Sequence, residues 1–255
     1  MAVHLHIAAG VAEIVLDRPD KLNAFDDTMV AEMHAAINGV GEARAVIVRG
    51  EGRAFCAGRD LVGADPGNED GEEVLRDQLN PFLLKLYNVP VPTFAAVQGA
   101  ALGVGLGIAL ACDVVYVAED AKVGSPFAQI GAVLDSGAHA HFVDRLGAHR
   151  ALELIYTGKL LSGTDAAAIG LVNAAMPGEM LLETVRRVAA TVAAGPTLAF
   201  AESKAIVHSV LAGRRDPADV MAAEAAAQGR ASRTADYVEG MTAFVDKRRP
   251  TFTGG

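Results

Sequence analysis

Between Gly99 and Gly107 the chain reads GAALGVGLG, four glycines in nine residues with nothing bulkier than leucine among them. A stretch so poor in side chains cannot build a core alone, but it lets another backbone or a ligand approach its own. Apolar Val91–Val97 precedes it and Ile108–Ala111 follows. The pattern predicts a buried strand, a tight turn and a helix running to Ala111. A second segment shares the layout. Ala45–Arg49 (AVIVR) reads as a buried strand, and the loop Gly50–Asp60 after it ends in Ala54-Phe55-Cys56-Ala57-Gly58-Arg59-Asp60. Helix starts leave backbone N–H groups unpaired and carry partial positive charge. Two such donors converging on one point make an oxyanion hole, where each is worth roughly 3–4 kcal/mol in a transition state.

Around these loops, Val3–Ala8 and Val11–Asp17 predict a hairpin turning at Ala9-Gly10. Asp26 or Asp27 is placed to cap a helix whose apolar positions are Met29, Val30, Met33 and Ile37. Residues 62–72 read as a flexible acidic surface segment leading into a helix near 72–88, and Asp113–Ala118 as a further strand. From Gly147 helix dominates, punctuated at Pro196, Gly213–Pro217 and Gly229. This predicts an α/β core over residues 1–190 and a helical part over 191–255.

A net charge of −9 argues against a nucleic-acid partner, whose phosphates need clustered Lys and Arg. The longest small-and-apolar run, Gly99 to Cys112, is too short and glycine-rich to span a bilayer. No signal peptide is read in MAVHLHIAAG, and Cys56 and Cys112 make no disulfide scaffold, so a cytoplasmic location is expected. Gly103, Gly105 and Gly107 miss a dinucleotide fingerprint because Ile108 stands where its third glycine belongs. His139 and His141 point to different faces of a helix, which disfavours a metal site.

At these residues the chain resembles the enoyl-CoA hydratase/isomerase (crotonase) superfamily. The resemblance rests on Leu16-Asp17-Arg18-Pro19 with Leu22-Asn23-Ala24, on Phe55 to Leu61, and on Pro92 to Asp113. It continues through Thr157-Gly158 with Ala166 to Val172, and ends at Phe244 to Arg248. It implies a crotonase-like α/β spiral of repeated ββα units with a helical trimerisation region, assembled as a homotrimer or a dimer of trimers. The substrate implied is an acyl-CoA thioester, with coenzyme A part of the substrate and no permanently bound cofactor. Ala57 and Val104 fall where the resemblance puts the two oxyanion donors, with Gly58 and Gly103 beside them. Lys21, Leu22 and Ala24 match the adenine-pocket stretch, and Arg59, with Asp60 and Leu61, lies towards the CoA phosphates. Phe244 and Lys247 match positions that reach a neighbouring subunit's CoA.

One departure changes the expected reaction. Hydratases of the family hold a water between two glutamates, and those positions are Gly107 and Phe127 here. The remaining carboxylate in that region is Asp135, at a position that is acidic in several relatives that move double bonds. Oxyanion stabilisation makes protons α to a thioester acidic, and one carboxylate can remove a proton at one carbon and return it at another. Phe127, Ile130, Val133 and Leu134 are expected to wall it from water and raise its pKa. The competing expectation is that Asp135 caps a helix starting near Ser136, whereas Asp60 and Asp113 are themselves read as structural. The alternatives to isomerisation are a hydratase-like or ring-modifying acyl-CoA enzyme and a non-catalytic acyl-CoA binder.

Overall fold

A computed structural model describes residues 1–62 and 68–255. The acidic segment expected over 62–72 therefore lies partly outside the described residues. The chain opens with a hairpin of β1 (Val3–Ala8) and β2 (Val11–Leu16), paired antiparallel from Val3↔Leu16 to Ala8↔Val11. Ala9 and Gly10 both take positive φ, 49° and 76°, as a two-residue turn matching strand twist requires. Helix α1 (Asp27–Asn38) follows, capped by Asp26, whose carboxylate accepts from Met29 N at 2.9 Å. It buries Met29, Val30, Met33, Ala36 and Ile37, a stripe at helical spacing.

Strand β3 (Ala45–Gly50) pairs parallel with β2. The helix expected near 72–88 is a broken run: α2 (Gly71–Glu73), a π-helical stretch Val74–Leu79, then α3 (Asn80–Tyr87) with Pro81 in its first turn. Strand β4 (Thr93–Val97) is wholly buried beside β3. Strand β5 (Ala100–Leu102) and helix α4 (Val104–Ala111) share out the glycine cluster. Next come β6 (Val114–Ala118) and β7 (Lys122–Gly124), then α5 (Ala138–Leu146) and α6 (Ala148–Thr157). After them lie β8 (Leu161–Ser162), α7 (Gly163–Ala168), β9 (Ala174–Met176) and α8 (Gly178–Ala193). Three helices finish the chain: α9 (Thr197–Leu211), α10 (Pro217–Ala231) and α11 (Ala235–Val245).

Among the described residues the strands form two sheets. One has the order β1-β2-β3-β4-β6-β9, parallel apart from the first pair, and the other the order β5-β7-β8. The short strands β8 and β9 lie in the half of the chain that reads as helical, because two or three residues are too few to show a period. Pro196 and Gly213–Pro217 separate helices as expected, but Gly229 lies inside α10. A Cβ there would meet nothing, so the glycine breaks no packing; the next helix starts where Thr234 accepts from Tyr237 N at 3.1 Å. Helix α8 packs on β3, β4 and β6 and buries Leu181, Val185, Ala189 and Ala193. Among the described residues no helix is long and apolar enough to cross a membrane.

Candidate active site

Both loops leave the C-terminal ends of the adjacent parallel strands β3 and β4 and then pair with each other. Cys56 bridges Ala101: Cys56 N donates to Ala100 O at 2.8 Å, and Leu102 N donates to Cys56 O at 3.0 Å. Glycine makes this approach possible. A Cβ on Gly105 would stand 2.3 Å from Cys56 O and 2.7 Å from Cys56 Cβ. Gly103, at φ 53° and ψ −123°, turns the chain into α4 in a conformation that a side chain would strain. Cys56 is fully buried in this contact, which pushes its thiol up to about 12.

Val104 is the first residue of α4, so its N–H has no partner within the helix and is open to a ligand. The other expected donor is corrected by the structure. Ala57 N donates to Leu22 O at 3.0 Å and is already satisfied. Two residues on, Phe25 pairs with Arg59, with Phe25 N donating to Gly58 O at 2.9 Å and Asp60 N donating to Phe25 O at 2.8 Å. That register turns the Arg59 N–H away from Phe25, and it meets no acceptor among the described residues. Gly58 lies between Ala57 and Arg59, and its Cα is 3.9 Å from where a Cβ on Gly103 would sit. Arg59 and Val104 thus each present an N–H group without an acceptor among the described residues, one on either side of the loop contact.

Asp135 is half-buried just before α5. It does not cap that helix by its side chain: α5 begins at Ala138, and its N-cap, Gly137, makes no side-chain bond. Ser136 Oγ instead donates to Asp135 Oδ1 at 2.7 Å. Burial raises the Asp135 carboxyl above the usual carboxylate range, while the Ser136 bond and nearby His139 pull the other way. The expected apolar wall is only partly built in this chain. Leu134 is buried, but Ile130 and Val133 are 65% and 80% exposed. Phe127 lies over the glycine turn, its ring 3.4 Å from the Cβ position of Gly103. At position 107, the other place where the resemblance leads one to expect a glutamate, a Cβ would stand 2.4 Å from Ser136 Cβ.

Beside the loops lies a cavity of about 630 Å³ lined by Arg18, Lys21 and Arg59, with Asp26, Asp27, Asp60 and Glu69. Among the described residues three cations face four carboxylates, so it is not the purely basic cradle that a phosphate prefers. Arg59 is held in a two-pronged pair by Glu69, at 2.5 and 2.7 Å. Arg18 is paired with Asp60 at 2.9 Å and Asp26 at 3.2 Å. Asp60 also accepts from Val62 N at 3.0 Å, and that bond first, then Arg18, holds its carboxyl below the usual range. Lys21 makes no ion pair among the described residues. Leu61 stands 59% exposed and does not line the cavity.

Leu22 and Asn23 both take positive φ, 52° and 56°. The conformation aims Leu22 O at Ala57 N and drops Asn23 into the interior, where it accepts from Arg18 N and donates to Glu51 O and Ala54 O. Ala24 O accepts from Arg18 Nη1 at 2.9 Å. Sequence reasoning gave Asn23 no role, and none to Ser136; the one available signal was a polar residue inside each apolar motif. Phe244 and Lys247 are not brought to the site within one chain. Phe244 is 82% exposed, and Lys247, at φ 56°, forms the left-handed end of α11, with Arg248 N donating to Ala243 O. Asp113 is structural as expected, accepting from Thr93 N and pairing with Lys204 at 2.9 Å.

The profile of the enoyl-CoA hydratase/isomerase family matches residues 6–255. A protein of Rhodobacter capsulatus described as a probable enoyl-CoA hydratase is 39% identical, over 99% of this chain and 98% of its own. The 1,2-epoxyphenylacetyl-CoA isomerase of Escherichia coli is 33% identical, over 98% and 97%. The crystal structure of an enoyl-CoA hydratase from Bacillus anthracis superposes with a TM-score of 0.92 at 28% identity, covering all of both chains.

Proposed function

The chain belongs to the enoyl-CoA hydratase/isomerase family and has its crotonase-like fold, and on that premise we propose that it shifts a double bond in an enoyl-CoA thioester. The thioester oxygen sits between the N–H groups of Arg59 and Val104. Asp135 removes a proton from C2 of a 3-enoyl-CoA, the enolate oxygen is held by the two donors, and the proton returns at C4 to give the 2-enoyl product. The observation that carries this reading is Asp135, a half-buried carboxylate with no Lys or Arg paired to it among the described residues, unlike Asp60, with Gly107 and Phe127 at the positions that in hydratases hold glutamates. Neither side chain can orient a water.

Coenzyme A enters as part of the substrate, along the Lys21–Ala24 segment and the cavity holding Arg18 and Arg59. We take the assembly to be a homotrimer or a dimer of trimers. Support comes from the apolar side chains that α9–α11 leave in solvent, including Val207, Met221, Val238 and Met241. In that assembly Phe244 and Lys247 face a neighbouring subunit, a point that sedimentation analysis with Phe244→Asp would check.

The test is turnover of a 3-enoyl-CoA, followed by the rise of conjugated-thioester absorbance. Asp135→Asn is expected to lower kcat by about 10²–10⁴-fold; an unchanged rate would remove Asp135 from the reaction. A second reading is favoured by the 33% identical E. coli protein, whose name gives a ring epoxide as its substrate. Assaying 1,2-epoxyphenylacetyl-CoA in parallel separates the two. Oxygen from labelled water in the product would point to hydration, and saturable acyl-CoA binding without any product to a non-catalytic binder.

A further inference from the structure

At position 107, where the resemblance to hydratases leads one to expect a glutamate, the chain makes a packing contact. Gly107 lies in the second turn of α4, and the segment 135–137 sits directly on it. A Cβ at 107 would stand 2.4 Å from Ser136 Cβ, 2.8 Å from Ser136 O and 3.3 Å from Ser136 Oγ. The space that a side chain at 107 would fill therefore belongs to Ser136. Because the backbone oxygen is among the atoms met, the segment's path itself depends on glycine at 107.

Ser136 is held there at a cost. It is 5% exposed and takes φ 58°, a left-handed conformation that a serine seldom adopts. Gly137 follows at φ 77°. This pair of turns seats Ser136 against α4 while its Oγ donates to Asp135 Oδ1 at 2.7 Å. A buried hydroxyl in a strained backbone, bonded to the half-buried Asp135 carboxylate, is the usual form of a functional constraint.

We propose that Ser136, seated on Gly107, is the positioning residue for Asp135: it fixes the carboxylate's orientation and keeps one of its oxygens engaged while the other is left for the substrate. The proposal rests on the reading of Asp135 as the acid/base. The fit with Gly107 also accounts for the missing glutamate, since a side chain at 107 displaces Ser136 and with it Asp135. Few other groups compete for control of Asp135. Helix α4 and the turn Phe127–Ile130 carry no ionisable side chain. Helix α5 brings His139, and His141, which burial and Arg145 lower to about 4.

Ser136→Gly removes the hydroxyl and suits the positive φ, so the variant is expected to fold; Ser136→Ala removes the hydroxyl alone. The primary measurement is the pH titration of the Asp135 carboxyl carbon by NMR of the full-length protein with 13C-labelled aspartate, assigned by its absence in Asp135→Asn. Loss of the bond from Ser136 is expected to raise the midpoint by roughly one pH unit, a charged-acceptor hydrogen bond being worth about that much. Turnover of the 3-enoyl-CoA should fall about tenfold in kcat with KM unchanged, and the acidic limb of its pH profile should move up with the NMR midpoint. An unmoved midpoint in Ser136→Gly overturns the proposal, as does a loss confined to KM. The two readings fail separately. Full activity in Asp135→Asn overturns the acid/base role, whereas an inactive Asp135→Asn beside an unaltered Ser136→Gly overturns only the positioning role.

Discussion

The side-chain amide of Asn23 joins two stretches of chain that meet at the site: its Nδ2 donates to Ala54 O at 2.8 Å and to Glu51 O at 3.0 Å, while its Oδ1 accepts from Arg18 N at 2.8 Å. The side chain is fully buried, and its backbone sits at φ 56°, a region that asparagine tolerates better than most residues. Asn23→Ala leaves three backbone groups without this partner. It should destabilise the chain by about 3 kcal/mol, read as a lowered midpoint in urea. A midpoint within experimental scatter of wild type would show that water replaces the amide.

Gly105→Ala tests the loop pairing. The new methyl must push against Cys56 O and Cys56 Cβ, so the loop carrying Arg59 moves away from Val104. A displacement near 1 Å costs on the order of 100-fold in rate. The expected result is a loss of kcat/KM of that size with the fold retained by circular dichroism. Wild-type kinetics would mean that the two loops need not touch for the donors to align.

Glu69 occupies the Arg59 guanidinium that a phosphate would use. Glu69→Gln should therefore tighten coenzyme A binding about two- to fivefold in calorimetry, the range of a surface ion pair. The gain should shrink as salt rises. Weaker binding would show that Glu69 holds Arg59 in its working pose.

Asp135 also predicts a trend of stability with pH. Its folded carboxyl is raised by burial, so between the unfolded and folded values the native state holds more protons than the unfolded one. The stability tied to the protonated form is then fully present below the unfolded value and is lost as pH rises through the folded value. Asp135→Asn should melt at a higher temperature than wild type at pH 8. The advantage should shrink towards about pH 4, near the ordinary aspartate value. An equal difference at both pH values would place the effect elsewhere than in ionisation.

Much of this was legible in the sequence, for reasons particular residues make plain. The hairpin at Ala9-Gly10, the Asp26 cap and the strand–loop–helix pairs depend on local chemistry, and each lies within a residue or two of its expected place. The absence of carboxylates at 107 and 127 is likewise readable directly. The donor was not. Whether Ala57 or Arg59 offers a free N–H depends on Leu22 O, more than thirty residues away, and on the register of Phe25. The exposure of Ile130 and Val133 was also hidden, since an apolar side chain near a carboxylate looks the same whether it faces inward or out. Charge in the cavity misleads in another way: Arg59 reads as a cation, but Glu69 is already bound to it.

The burial of Cys56 offers a clock for the site. Its thiol is closed off by the backbone of both loops and resists ionisation up to about pH 12, so a thiol reagent can reach it only in molecules whose loops have come apart. The alkylation rate of Cys56, read by peptide mass spectrometry because Cys112 is also a free and buried thiol, then counts those openings without substrate or turnover. A thioester spanning Arg59 and Val104 should slow that count by holding the loops closed.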